Sequence, residues 1–157
     1  MDMMTKHLDQ ALESFTRLVS TDIEKLAKLL DEVLIDGLQN GKAQKFEYTL
    51  ELCWKTIKVF LQQCEGIDEA SPKKIVKAFY LSGYLVEDDY TALMQAIDDR
   101  NKLSHIYGQA EFELIVSRLP VYAEIIKRIA KTLHKGCADI QKVGSVGTAQ
   151  SKTSKSA

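Results

Sequence analysis

Between residues 98 and 107 the chain reads Asp-Asp-Arg-Asn-Lys-Leu-Ser-His-Ile-Tyr, a run dense in groups that can do chemistry. His105 can act as general base or general acid. Arg100 can hold a phosphate bidentately and stabilise charge that develops on it. That pair suits metal-independent cleavage of RNA, in which the 2′-hydroxyl is deprotonated and attacks its own phosphodiester. Arg100 and His105 are therefore the expected catalytic residues. Asn101, Asp98 and Ser104 support them, and Tyr107 adds a phenol. No Gly-rich phosphate loop, HExxH or GxSxG occurs, which argues against P-loop hydrolysis, zincin proteolysis and hydrolase-elbow chemistry. Metal-ligand spacing is absent among the His, Cys and acidic residues, and no cofactor is expected.

Spacing limits how these groups can meet. The apolar positions Tyr90, Leu93 and Ile97 continue at the same helical interval into Arg100, Ser104 and Tyr107. On an ideal helix those last three fall within about 60° of one another, with Asp98, Asn101 and His105 as a second polar stripe beside them. Burying such groups unpaired is costly, so they should line a cleft, a subunit interface or both. Arg100 and His105 are five positions apart, about 140° around a straight helix, so one helix cannot easily aim both at one phosphate. Either the helix ends near His105, or a two-fold dimer supplies the two groups from facing copies. A structural reading competes: Arg100 pairs with Asp98 or Asp99, and His105 is a C-terminal helix residue favoured by the dipole.

The elements that must position this segment are helices. Leu8, Leu12, Phe15, Val19, Ile23, Leu26, Leu30 and Val33 form one stripe and predict a first helix over about 5–34, with Asp36-Gly37 and Asn40-Gly41 as turn and C-cap signals. Phe46, Leu50, Cys53, Ile57, Phe60 and Cys64 keep a strict 4-3-4-3-4 spacing and predict a second over about 42–64. Ser71-Pro72 opens a third that Gly83 stops. Asp88 or Asp89 caps a fourth over about 88–106, and a fifth runs from about Gln109 to Lys135, kinked or split at Pro120. The fold expected is all-α, an up-and-down bundle of four or five helices over 1–136, followed by a flexible tail over 137–157. Residues 143–157 lack any acid or aromatic.

Composition fits that picture. The chain has 157 residues, 45% of them hydrophobic, which is one domain's worth of core. The net charge of −1 means any nucleic-acid contact must come from a local basic face. Cys53, Cys64 and Cys137 are odd in number with no CxxC pair, which predicts no disulfide framework and fits a reducing cytoplasm. Cys53 and Cys64 read as small core residues. No apolar h-region follows the N-terminus and no uncharged apolar run approaches a membrane span, so neither a signal peptide nor a membrane segment is expected. Trp54 reads as packing, Glu47, Glu51 and Lys55 as a solvated or interface-edge ladder, and Lys73, Lys74 and Lys77 as a solvated basic face, with contact to RNA or an acidic partner as the alternative. His7 and His134 lie near the ends of the fold without visible partners and receive no role.

Arg100-Asn101 followed by His105-Ile106-Tyr107 resembles the R-x4-H-x-Y signature of HEPN (higher eukaryotes and prokaryotes nucleotide-binding) domains. The blocks 46–55 (Phe-Glu-Tyr-Thr-Leu-Glu-Leu-Cys-Trp-Lys), Ser71-Pro72-Lys73 and 78–83 (Ala-Phe-Tyr-Leu-Ser-Gly) resemble the nucleotidyltransferase substrate-binding branch of that family. The likeness spans about residues 5–135. It implies a dimerising bundle, of dimers or higher oligomers, with the Arg/His motifs at the subunit cleft. The partner implied is a separate minimal nucleotidyltransferase (MNT) in a two-gene HEPN/MNT toxin–antitoxin pair. In such pairs the HEPN protein is read as a ribonuclease that acts on RNA, and the transferase silences it by adding AMP to the motif tyrosine, here Tyr107. The alternative makes the chain a non-catalytic subunit that presents substrate or nucleotide to the transferase.

Overall fold

Capping side chains decide where the first helices break. The structure, a computed structural model, describes residues 1–105 and 108–137. Its elements are α1 (Asp2–Val19), α2 (Ile23–Leu26), α3 (Glu32–Cys64), α4 (Pro72–Leu81), α5 (Glu87–Leu103) and α6 (Gln109–Lys135). The single first helix expected over 5–34 is three pieces. Ser20 and Thr21 turn their hydroxyls back onto the Arg17 carbonyl, ending α1. Asp22 then accepts from the Lys25 amide at 3.1 Å and Asp31 from the Leu34 amide at 2.9 Å, each opening a new helix. Of the expected stripe, Leu8, Leu12 and Phe15 are buried, whereas Val33 is 78% exposed.

α3 runs straight through Gly37 and Gly41, so neither glycine ends a helix. Asn40 donates its side-chain amide to the Asp36 carbonyl at 3.0 Å, one turn back, and Gly41 faces α1, with Leu18 3.6 Å from where a Cβ would sit, an ordinary contact distance. Packing has outweighed the roughly 1 kcal/mol that each helical glycine costs. Lys42, buried beside them, donates its ammonium to the Thr21 carbonyl at 3.1 Å and so closes the end of α1. Burial pushes its amine below the usual lysine range.

The core is as the second stripe predicts. Phe46, Leu50, Cys53, Ile57 and Phe60 are all buried, and α3 packs on α1, α4, α5 and α6. Phe46 stacks on Tyr122 with Phe15 tilted against it at one end, and at the other Phe79 stacks on Tyr84 while Phe60 meets both edge-on. α4 opens with the Ser71 cap and Pro72 in its first turn, and Gly83 at φ 84° follows its end. α5 starts earlier than its acids suggested: its N-cap is Val86, two residues before Asp88, and Asp88 and Asp89 lie inside the first turn. α6 is a single element with Pro120 inside it. The described residues form an all-helical bundle with no strand.

The cysteine reading needs correction. Cys64, at the end of α3, is disulfide-bonded to Cys137, just past α6, with Cα atoms 5.2 Å apart. A separation of 73 residues hides this pair from any local pattern; only the shared end of two long helices brings it together. Cys53 behaves as expected: fully inside the core, its thiol is pushed up to about 12 by burial. Reducing the bond, or Cys137→Ser, frees the 73-residue loop. The chain-entropy account then puts the loss at roughly 4–5 kcal/mol. A lower urea midpoint with unchanged helical circular dichroism is the expected result, and an unmoved midpoint would contradict it. The rest of the expected tail, 138–157, lies outside the described residues.

Candidate functional site

α5 carries its acids in the first turn (Glu87, Asp88, Asp89) and Arg100 and Lys102 in the last, each matched to the helix dipole. Its buried side is Leu93, Ala96, Ile97 and, unexpectedly, Asp99. Asp99 is fully buried. It accepts from Tyr122 Oη at 2.6 Å, from Arg118 Nη1 at 3.0 and 3.1 Å, and from Gln95 Nε2 at 2.9 Å. Burial first, and the Asp99 carboxylate second, push the Tyr122 phenol well above its ordinary range. This cluster ties α5 to α6 and fixes the roll of α5 about its axis.

The pairing of Arg100 with Asp98 or Asp99 does not occur. Asp98 faces α4, with Lys73 Nζ 2.5 Å from Oδ1, and Asp99 belongs to Arg118. Arg100 turns to α3, where Nη2 lies 4.0 Å from Glu51 Oε2. The other oxygen of Glu51 takes Lys55 Nζ at 2.5 Å. That hydrogen bond, with Arg100 nearby, holds the Glu51 carboxyl below the usual carboxylate range. Glu51 and Lys73 are thus site neighbours that the reading of solvated faces passed over. The i, i+4 pairing of Glu51 with Lys55 was legible, but which helix would cross it was not.

Asp99 having set the roll, Arg100 and His105 face different ways. Arg100 lines a cleft of about 140 Å³ between α3, the start of α4 and α5, floored by Leu50, Trp54, Pro72 and Ile97. His105 lines a shallower depression with Gln95, Asp98, Lys102 and Glu111. Asn101 borders both. α5 ends at Leu103, earlier than expected, with Ser104 as its C-cap and the His105 amide donating to the Lys102 carbonyl at 2.8 Å. Asn101, Ser104 and His105 are exposed. Tyr107, the expected modification site, lies outside the described residues, as does the end of the fourth helix expected at 106. Elsewhere, His134 is not partnerless: its Nε2 lies 2.8 Å from Asp9 and links α6 to α1. Among the described residues no group of His, Cys, Asp and Glu could hold a metal ion. None of the described helices is long and apolar enough to cross a membrane.

A helical bundle that brings Arg, Asn and His out together at one helix end is HEPN-like in class. The family model described as nucleotidyltransferase substrate binding protein like matches residues 4–135, and the chain belongs to that family. Among solved structures, a crystal structure of a Thermus thermophilus protein superposes with a TM-score of 0.69 at 27% identity, covering 80% of this chain and 98% of that one. Comparison with curated proteins returns no match.

Proposed function

We propose that this chain is the HEPN component of a two-protein system. In this reading it dimerises, cleaves RNA without a metal, and is switched off by a separate small nucleotidyltransferase that adds AMP to Tyr107. The observation that carries the reading is the emergence of Arg100, Asn101 and His105 at the C-terminal end of α5. There the amide and the imidazole are exposed and make no side-chain hydrogen bond to another described residue. Arg100 would stabilise the phosphate in the transition state, and His105 would move the 2′-hydroxyl proton. Asn101, Ser104 and Asp98 would position the strand. Since Arg100 and His105 line separate depressions, a facing copy completes the pair.

A second reading is favoured by the family's description and by Glu51, whose carboxylate beside Arg100 weakens that site for phosphate. It makes the chain a non-catalytic subunit that presents substrate to the transferase. Purified chain incubated with RNA in EDTA separates the two. Fragments ending in 2′,3′-cyclic phosphate are expected, as is loss of cleavage after incubation with the transferase and ATP. Mass spectrometry should then find AMP on Tyr107, and Tyr107→Phe should escape the silencing. Intact RNA at every chain concentration would leave the substrate-presenting reading.

A further inference from the structure

The cleft beside Arg100 is built for something other than a phosphate alone. Its floor is apolar, with Trp54, Pro72 and Ile97, while its rim carries Glu51, Arg100 and Asn101. Glu51 Oε2, 4.0 Å from the guanidinium, is too far for a good hydrogen bond, so it keeps accepting capacity at the rim, and Oε1 keeps a second lone pair beside the one that Lys55 Nζ takes at 2.5 Å. An anion settling on Arg100 would meet that carboxylate and be repelled. A flat, neutral ring that carries N–H donors would be welcomed by it. At about 140 Å³ the cleft is well below the several hundred Å³ of a whole-ligand pocket, the size for one ring system and not for a complete nucleotide.

We infer that this cleft is a guanine subsite, with Trp54 as the apolar surface for the base, Glu51 accepting from its N1–H and N2–H₂, and the Asn101 amide donating to O6. Guanine is the base whose Watson–Crick edge offers two adjacent donors to one carboxylate next to an acceptor for a donor group. Adenine, cytosine and uracil each leave one carboxylate lone pair or the amide without a match. Arg100, with five N–H donors, keeps those facing away from Glu51 for the adjoining phosphate. This deepens the proposed function, on which it rests for RNA as the substrate class: the strand would be gripped by a guanine next to the bond that is cut. The ligand chemistry is the base, whether it comes in RNA or as a free nucleotide.

Trp54 is the chain's only tryptophan, so its emission reports this cleft directly. The full chain titrated with GMP should show saturable quenching, with AMP, CMP and UMP weaker by about tenfold or more, the scale of one lost hydrogen-bonded match. Glu51→Gln, which keeps shape and helicity but cannot accept both donors, should remove the preference for GMP. Similar quenching by all four nucleotides, no saturable quenching, or unchanged selectivity in Glu51→Gln would each overturn the inference. A short oligoribonucleotide with one guanine, compared with its adenine counterpart, separates the sources. Tighter binding than GMP identifies RNA, and equal binding a free nucleotide. His105→Ala keeps the two readings distinguishable: guanine-selective quenching in a chain that cuts no RNA spares the subsite, and cleavage without guanine preference spares the ribonuclease.

Discussion

Equal amounts of Arg100→Ala and His105→Ala chains, mixed under conditions that exchange subunits, should recover about a quarter of the wild-type RNA cleavage, if each site draws its two groups from different copies. Each variant alone should be slower by about 10²–10⁴-fold, the usual scale for losing a general acid–base or an electrostatic stabiliser. The recovery follows from counting. Half of the dimers formed at random are mixed, and in a mixed dimer one of the two sites carries both an intact arginine and an intact histidine. The geometry behind this is the roll of α5, which sends Arg100 into the cleft against α3 and leaves His105 past the helix end beside Lys102 and Glu111. Single-turnover assays in EDTA, with gel filtration of each variant, make the measurement. A mixture no faster than its components would place both groups in one copy, and unimpaired cleavage by the double variant would remove Arg100 and His105 from the chemistry.

Asp99→Ala should be the most damaging polar substitution on α5. It removes the acceptor for Tyr122, Arg118 and Gln95 at once and leaves the Tyr122 hydroxyl buried without a partner. A loss of roughly 2–4 kcal/mol is expected, since hydrogen bonds to a buried carboxylate count for more than neutral ones and the orphaned phenol adds its own penalty. In a chain of this size that is a fall in Tm of roughly 5–15 °C. Asp98→Ala is the control next door. Its ion pair with Lys73 is nearly half exposed on both sides, and pairs of that kind contribute less than about 1 kcal/mol. Thermal unfolding followed by circular dichroism decides, and equal losses at the two positions would refute the account of the Asp99 cluster. Because that cluster sets the roll of α5, Asp99→Asn should also slow cleavage while leaving much of the stability in place.

Much of this was legible in the sequence, for reasons that can be named. The regular spacing of Phe46, Leu50, Cys53, Ile57 and Phe60 survives in the core because it is long and mostly carried by large side chains, while Cys64, the last of the stripe, leaves it for the disulfide. The Ser71-Pro72 start and the Gly83 stop are local backbone chemistry and needed no tertiary help. The first stripe failed where two aspartates were free to cap: Asp22 and Asp31 lie between apolar residues whose periodicity passes over them. The glycines at 37 and 41 misled in the opposite direction, since a long helix packed as a whole on α1 and α6 carries through single glycines that would weaken an isolated one. At the site, the polar segment stood out because it interrupts an apolar stripe. The roles of Asp98 and Asp99 could not be told apart, because which of two adjacent acids turns inward depends on Arg118 and Tyr122, about 20 residues downstream. Cys64 with Cys137 is the same kind of miss: contact made by helix length alone.

The angular offset between Arg100 and His105 has a consequence for dose. On the reading in which two copies complete each site, a newly made chain is harmless by itself, whatever it can do once paired. Cutting then rises with the square of chain concentration while dimers are scarce, and linearly only after they dominate. A cell holding such a chain below its dimerisation constant would sit under a threshold, and a modest rise in supply, or loss of the partner, would carry it across. Diluting purified chain through that constant should show the quadratic regime directly.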